Sequence, residues 1–411
     1  MMVATGGTPM SDVDALLAAF EAGDLLRPDP DVPNFLDLSR AVGAACGVRG
    51  LALSANAQTI ADRFEEREHT VFVLADGLGL DMIEQGGDGA NVLRAHLAME
   101  LRAIFPASTV VALTTLMTGE WPARHAVTGW WTHIEAIGGP ATILPHVRRR
   151  DDRSLAELGV RSEDLFPLPA LTPRMTRDTL VLLPQVIAGS VYSRYGTGGE
   201  PATGYETLAE AVEQTIKAVL GADGPSFVYL YIPHLDHAAH EHGPWSAEAT
   251  QALHGINQVF GLLARELHGQ AVVALSADHG HLGVSGDEVL LIREDDGIPE
   301  LLAAEPAGDS RVLHFRVRPG AHEAFAARFR ELFGEAFLLL TTQEVDELRL
   351  LGPDPLSPLT AERLGDFVAI SRGAHVLGYH PTNGARELLR HASHHSGLRP
   401  EEIRIPLLLA S

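Results

Sequence analysis

The chain is almost without cysteine. Cys46 stands alone in 411 residues, so no disulfide forms within the chain and no thiolate zinc cluster is possible. Basic residues are also few: 31 Lys and Arg stand against 54 Asp and Glu, a formal net charge of −23. Nucleic-acid binders carry a basic footprint. The one basic cluster here, "HVRRRDDR", is interrupted by acids. No apolar run reaches the roughly 18 residues of a membrane span. The N-terminus has no basic stretch leading into a long apolar one. These absences exclude a disulfide scaffold, a nucleic-acid binder and a membrane protein, and the expected location is the cytoplasm. A chain this acidic that receives an anionic substrate needs local positive charge, for which bound metal cations are the obvious source.

What is present is apolar bulk and histidine. Hydrophobic residues make up 45% of the chain, ordinary for a globular protein. The length suits a large core with one smaller unit. The 20 histidines are clustered, with four between His234 and His242 and three between His391 and His395.

Residues 1–69 read as mostly helical. "HTVFVLADGLG" reads as a buried strand ending in Asp76. After "FPAS" comes a helical stretch to about Met117. "SFVYLYIP" and "AVVALSADHG" are further strands, and "IRIPLLLAS" closes the chain as another. Helical patterns lie between them. Strands alternating with helices predict an α/β fold, a mostly parallel sheet sandwiched by helices. Residues of about 130–200 read as a loop-rich cap on a core spanning 1–282 and 386–411. Residues 283–385 read as a small α/β insertion.

In such a sheet, ligands gather at the carboxyl ends of the strands. There this chain places Asp76, the pair Asp278-His279, and a segment carrying Asp236 and His240. The "HASHHSG" loop precedes the last strand. Asp236 and His240, four apart, share one face of a helix. Imidazole and carboxylate together suit zinc, with manganese or iron as other divalent choices.

The order and spacing of these blocks resemble the type I phosphodiesterase and nucleotide pyrophosphatase family of the alkaline phosphatase superfamily. "VFVLADGLG" is similar to its Asp-Gly strand. "FPASTVVALTTLMTGEWPARHAVTG" resembles its Phe-Pro, nucleophilic Thr and following helix. "YIPHLDHAAHEHGP", "SADHGH" and "HHSGLRPEEIRIPLLL" resemble its remaining blocks. The likeness spans roughly residues 70–280 and 390–411. It implies an alkaline-phosphatase-like fold and a phosphoric ester hydrolase with Thr109 as nucleophile. Two Zn2+ ions would be held, one by Asp76, Thr109, Asp278 and His279, the other by Asp236, His240 and His395, with His394 as second choice. Metal coordination would activate the Thr109 hydroxyl, and attack on phosphorus would give a phosphothreonine. Thr114, Thr115 and Thr118 are expected to pack the helix.

One departure concerns the substrate. Relatives often have Asn-His shortly after the nucleophile, where Ala112 and Leu113 stand here. A diester or nucleotide pyrophosphate is the expected small phosphate-ester substrate, with a monoester or phosphonate as the alternative. Trp130 and Trp131 are candidates to stack on a base or aryl group.

Overall fold

The computed structural model describes residues 10–64, 67–380, 388 and 390–411. The chain opens with three helices: α1 (Asp12–Ala22), α2 (Phe35–Ala45) and α3 (Ala55–Phe64). Asn34 starts α2 with a capping box: its Oδ1 accepts from the N–H groups of Leu36 and Asp37, and the Asp37 carboxylate accepts from the Asn34 N–H. That arrangement satisfies donors a helix start leaves orphaned.

The central sheet has seven strands: β1 (His69–Ala75), β2 (Leu97–Arg102), β3 (Asp178–Pro184), β4 (Thr203–Tyr205), β5 (Ser226–Ile232), β6 (Ala271–Ser276) and β7 (Arg404–Ala410). Their order is β2-β7-β6-β1-β5-β3-β4. Strands β6, β1, β5, β3 and β4 run parallel, whereas β7 is antiparallel to both its neighbours. β5 and β6 are buried along their whole length, and β1 from its second residue on. Helices cover both faces of such strands, so they read as unbroken apolar runs. Helices α4 (Thr109–Thr118), α5 (Leu208–Leu220), α6 (His234–His242) and α7 (Ala247–Glu266) supply part of that cover.

A second seven-stranded sheet stands apart. Its order is Phe337–Thr341, Phe367–Ser371, Val312–Phe315, Ala307–Gly308, Trp131–Ile134, Gly139–Thr142 and Val147–Arg148. The segment expected as a loop-rich cap therefore supplies three strands to the same sheet as the expected insertion, joined where Gly308 pairs with Trp131. It also supplies β3 to the central sheet. The cap strands are two to four residues long, too short for an alternating pattern to declare itself. The expected boundary at 385–386 lies outside the described residues. The second sheet has a separate apolar cluster, built around Phe315, Phe325, Phe329 and Phe337.

Candidate functional site

Thr109 is the first residue of α4, one position after Ser108. Its Oγ1 lies 3.0 Å from His279 Nε2. The other hydroxyls of the helix are engaged locally. Thr114 donates to the Val110 carbonyl at 2.7 Å, Thr118 to the Thr114 carbonyl at 2.7 Å, and Thr115 meets His125 Nε2 at 3.0 Å. Back-bonding of this kind is how a buried Thr satisfies itself inside a helix.

Asp76 and Asp278 follow the ends of β1 and β6, beside Thr109. His279 Nε2 is 3.4 Å from Asp76 Oδ1 and 3.4 Å from Asp278 Oδ2. The other Asp76 oxygen accepts a short hydrogen bond from the Tyr231 hydroxyl at the end of β5. The other Asp278 oxygen accepts from the N–H groups of Gly77 and His279, each at 3.1 Å. Gly77 is required by this crowding. Its φ is +74°, and a Cβ there would sit 2.5 Å from His281 Nε2.

The second group forms between α6 and the loop before β7. Asp236 Oδ1 is 3.3 Å from His240 Nε2 and 3.9 Å from His395 Nε2, and those two nitrogens are 3.1 Å apart. Three sets of donor atoms lie within 4.8 Å of one another among the described residues: Asp76-Asp278-His279, Asp236-His240-His395 and Asp236-His279-His281. His394 falls in none of them. Its Nδ1 meets Ser310 Oγ at 3.1 Å instead.

The hydrogen bonds around these imidazoles fix their tautomers. Nδ1 of His279 faces the Gly280 carbonyl, that of His240 the Ser393 carbonyl and that of His395 the Ala107 carbonyl, at 2.8–3.1 Å. A carbonyl only accepts, so each Nδ1 carries a proton, and in the neutral ring, the form a cation requires, each Nε2 turns a lone pair inward. The buried oxygens Asp76 Oδ1, Asp236 Oδ1 and Asp278 Oδ2 have no hydrogen-bond donor. Inward lone pairs facing unsatisfied carboxylate oxygens make a donor set for cations, with carbonyls holding each ring from behind. The electrostatics agree. Burial, then the charges of Asp278 and Asp236, push the Asp76 carboxyl well above its ordinary range. Burial, then His279 and His240, push His395 well below the usual imidazole range. A divalent cation would offset the crowding of the carboxylates, and a neutral His395 is the form that ligates.

His281 is a residue that sequence reasoning missed. It is fully buried, and burial pushes its imidazole down to about 4. Its Nε2 lies 3.1 Å from Asp236 Oδ1 and its Nδ1 3.1 Å from Ser393 Oγ. The second His of "SADHGH" was the available signal.

A cavity of about 170 Å³ opens over the site, and its lining includes Thr109, His240, His395, Trp130, Trp131 and Asp309. The Arg149 guanidinium lies 3.6 Å from the centre of the Trp131 ring, so one face of that ring is already covered.

A profile of the family described as type I phosphodiesterase / nucleotide pyrophosphatase matches residues 70–396. The chain belongs to this family. Mouse ectonucleotide pyrophosphatase/phosphodiesterase family member 3 is 38% identical over 73 residues, 16% of this chain and 8% of that protein. The chain thus matches only a small part of that relative's length. Among solved structures of this phosphodiesterase family, murine ectonucleotide pyrophosphatase / phosphodiesterase 5 superposes with a TM-score of 0.61 at 14% identity, covering 83% of this chain and 87% of that one. The human counterpart gives 0.60 at 13% identity over the same shares. The match establishes the α/β phosphodiesterase fold.

Proposed function

We propose that the chain is a two-metal phosphoric diester hydrolase acting through a phosphothreonine on Thr109. The observation that carries this reading is the convergence of Thr109 Oγ1, imidazole lone pairs and donorless carboxylate oxygens at one edge of the sheet. In this reading Asp76, Thr109, Asp278 and His279 hold one cation, and Asp236, His240 and His395 hold the other. The mixture of carboxylate and imidazole suits Zn2+, with Mn2+ the next choice. When bound, the cations favour the ionised form of hydroxyl and water and neutralise charge growing on the phosphoryl oxygens.

Thr109 Oγ1 attacks phosphorus, and the first alcohol or nucleotide leaves with its bridging oxygen. Water then attacks the phosphothreonine and returns the Thr109 hydroxyl. The N-terminus of α4 adds modest stabilisation to negative charge at Thr109. Tyr231 holds Asp76, and the backbone carbonyls of Ala107 and Ser393 hold His395 and His240, so the site is set before substrate arrives. Trp130 and Trp131 line the same cavity, and in this reading they are the side chains offered to a base or aryl group. Nucleotides are the first substrates to try, because an inactive Thr-to-Ala variant of murine ectonucleotide pyrophosphatase / phosphodiesterase 5 was solved in complex with AMP.

The test compares an aryl phosphodiester with the matching monoester, using purified protein and added zinc. Faster diester cleavage is expected. Thr109→Ala should retain most of its metal and lose about a thousandfold or more in kcat. Undiminished turnover in that variant would sink the assignment of the nucleophile.

A further inference from the structure

Asp309 has no part in the mechanism above, yet it lines the same cavity as Thr109, Asp236 and His240. It comes from the second sheet, in the tight turn between Ala307–Gly308 and Val312–Phe315. The turn is held firmly. The Asp309 N–H donates to the Val312 carbonyl at 2.7 Å, and Gly308 takes φ +90° where a Cβ would lie 2.2 Å from that carbonyl oxygen. Asp309 Oδ2 accepts from the Trp130 N–H at 3.0 Å. The next residue, Ser310, lines the same cavity and meets His394, and Arg311 is bound to Glu402. The turn fixes the Asp309 backbone, and the Trp130 N–H holds its carboxylate at the cavity wall. A phosphate pocket gains nothing from it as a binding group, so its effect there must be selective.

We propose that Asp309 is a specificity-determining residue that favours phosphodiesters over phosphomonoesters by electrostatic exclusion. The inference rests on the two-metal diesterase reading. A diester carries one negative charge. A monoester carries close to two above its second pKa of about 6. The additional charge of the monoester meets that carboxylate inside one cavity of about 170 Å³. Like charges about 6–10 Å apart, in the partly screened interior of a protein, discriminate by roughly 10- to 100-fold. Burial pushes the Asp309 carboxyl up to about 6, so it is ionised at pH 8, where the exclusion should be read.

The test is Asp309→Asn, which keeps the side-chain shape and an acceptor for the Trp130 N–H while removing the charge. Two readouts at pH 8 on zinc-loaded protein of verified metal content decide it. Calorimetry with inorganic phosphate should show at least about tenfold tighter binding in the variant. The ratio of diester to monoester kcat/KM should fall by about tenfold or more, through a gain on the monoester. Asp309→Ser should move both in the same direction. Unchanged phosphate affinity and ratio in both variants would overturn the proposal. So would an equal loss on both substrates, the outcome of a merely structural role. If the wild type cleaves neither ester, the diesterase reading itself has failed. If it cleaves the diester and the variants leave the ratio intact, only the role of Asp309 has.

Discussion

Asp236 Oδ1 is approached by three imidazole nitrogens, at 3.1 Å from His281, 3.3 Å from His240 and 3.9 Å from His395. Replacing this residue by Asn turns one of its oxygens into an amide that cannot ligate as an anion. On the proposed two-cation reading, bound metal should fall from two ions per chain toward one, with kcat/KM down by about a hundredfold. Elemental analysis after dialysis measures the first, and unchanged metal content would break the assignment of Asp236 to the second ion. This residue was visible in the sequence with His240, because a spacing of four on α6 brings both to one face. Asp76 and Asp278 were visible because buried strands end at them. His281 was not. Its approach to Asp236 depends on the turn after β6 and on the missing side chain of Gly77, and neither leaves a periodic trace. Likewise, nothing in the residue order shows Tyr231 reaching across from β5 to Asp76.

Among the elements, the turn of the second sheet is tied to the loop before β7 by one buried ion pair. Arg311 donates from Nε to Glu402 Oε1 at 2.7 Å and from Nη2 to Oε2 at 3.0 Å, and both side chains are fully buried. Glu402 also accepts from the Gly397 and Arg399 N–H groups, and Arg311 donates to the carbonyls of Gly373 and His375. Removing one partner strands the other charge. Arg311→Leu should therefore cost about 3–5 kcal/mol, and adding Glu402→Leu should cost less than the sum of the two single changes. Denaturant unfolding of the three variants measures this, and strict additivity would show that the pair is not coupled. Four strands of the central sheet were legible, namely β1, β5, β6 and β7, because each is a compact apolar run. β2 is largely exposed or half-buried along its length and β3 only partly buried, so neither stood out. The second sheet joins segments far apart in sequence through strands of a few residues, and local patterning does not report such pairing.

At the scale of the whole molecule, buried neutral histidines set an acid limit. Burial, and for His125 also the charge of Arg363, hold His125 and His314 down to about 3 from an ordinary value of 6.5. Below pH 6.5 the unfolded chain takes up these protons and the folded chain does not. Stability is then complete above about pH 6.5 and is lost progressively as pH falls toward 3. The thermal midpoint should be level near neutral pH and decline on acidification. His314→Leu should flatten part of that decline, since His314 has no hydrogen-bond partner for either ring nitrogen. An identical slope in variant and wild type would mean that His314 already binds its proton in the folded state.

The proposed cation ligands come from helices and loops around the central sheet, whereas Trp130, Trp131 and Asp309 come from the second sheet and its turns. The division lets the two halves of the site vary on separate terms. On the proposed reading, a substitution at Trp130 or Trp131 leaves the carbonyls that hold His240, His279 and His395 in place, so the group esterified to phosphorus can change while the proposed ligands stay the same. For protein engineering, the strand from Trp131 is then the exchangeable face, while the turn at Gly308, bound to the loop before β7 through Arg311 and Glu402, is the part to keep.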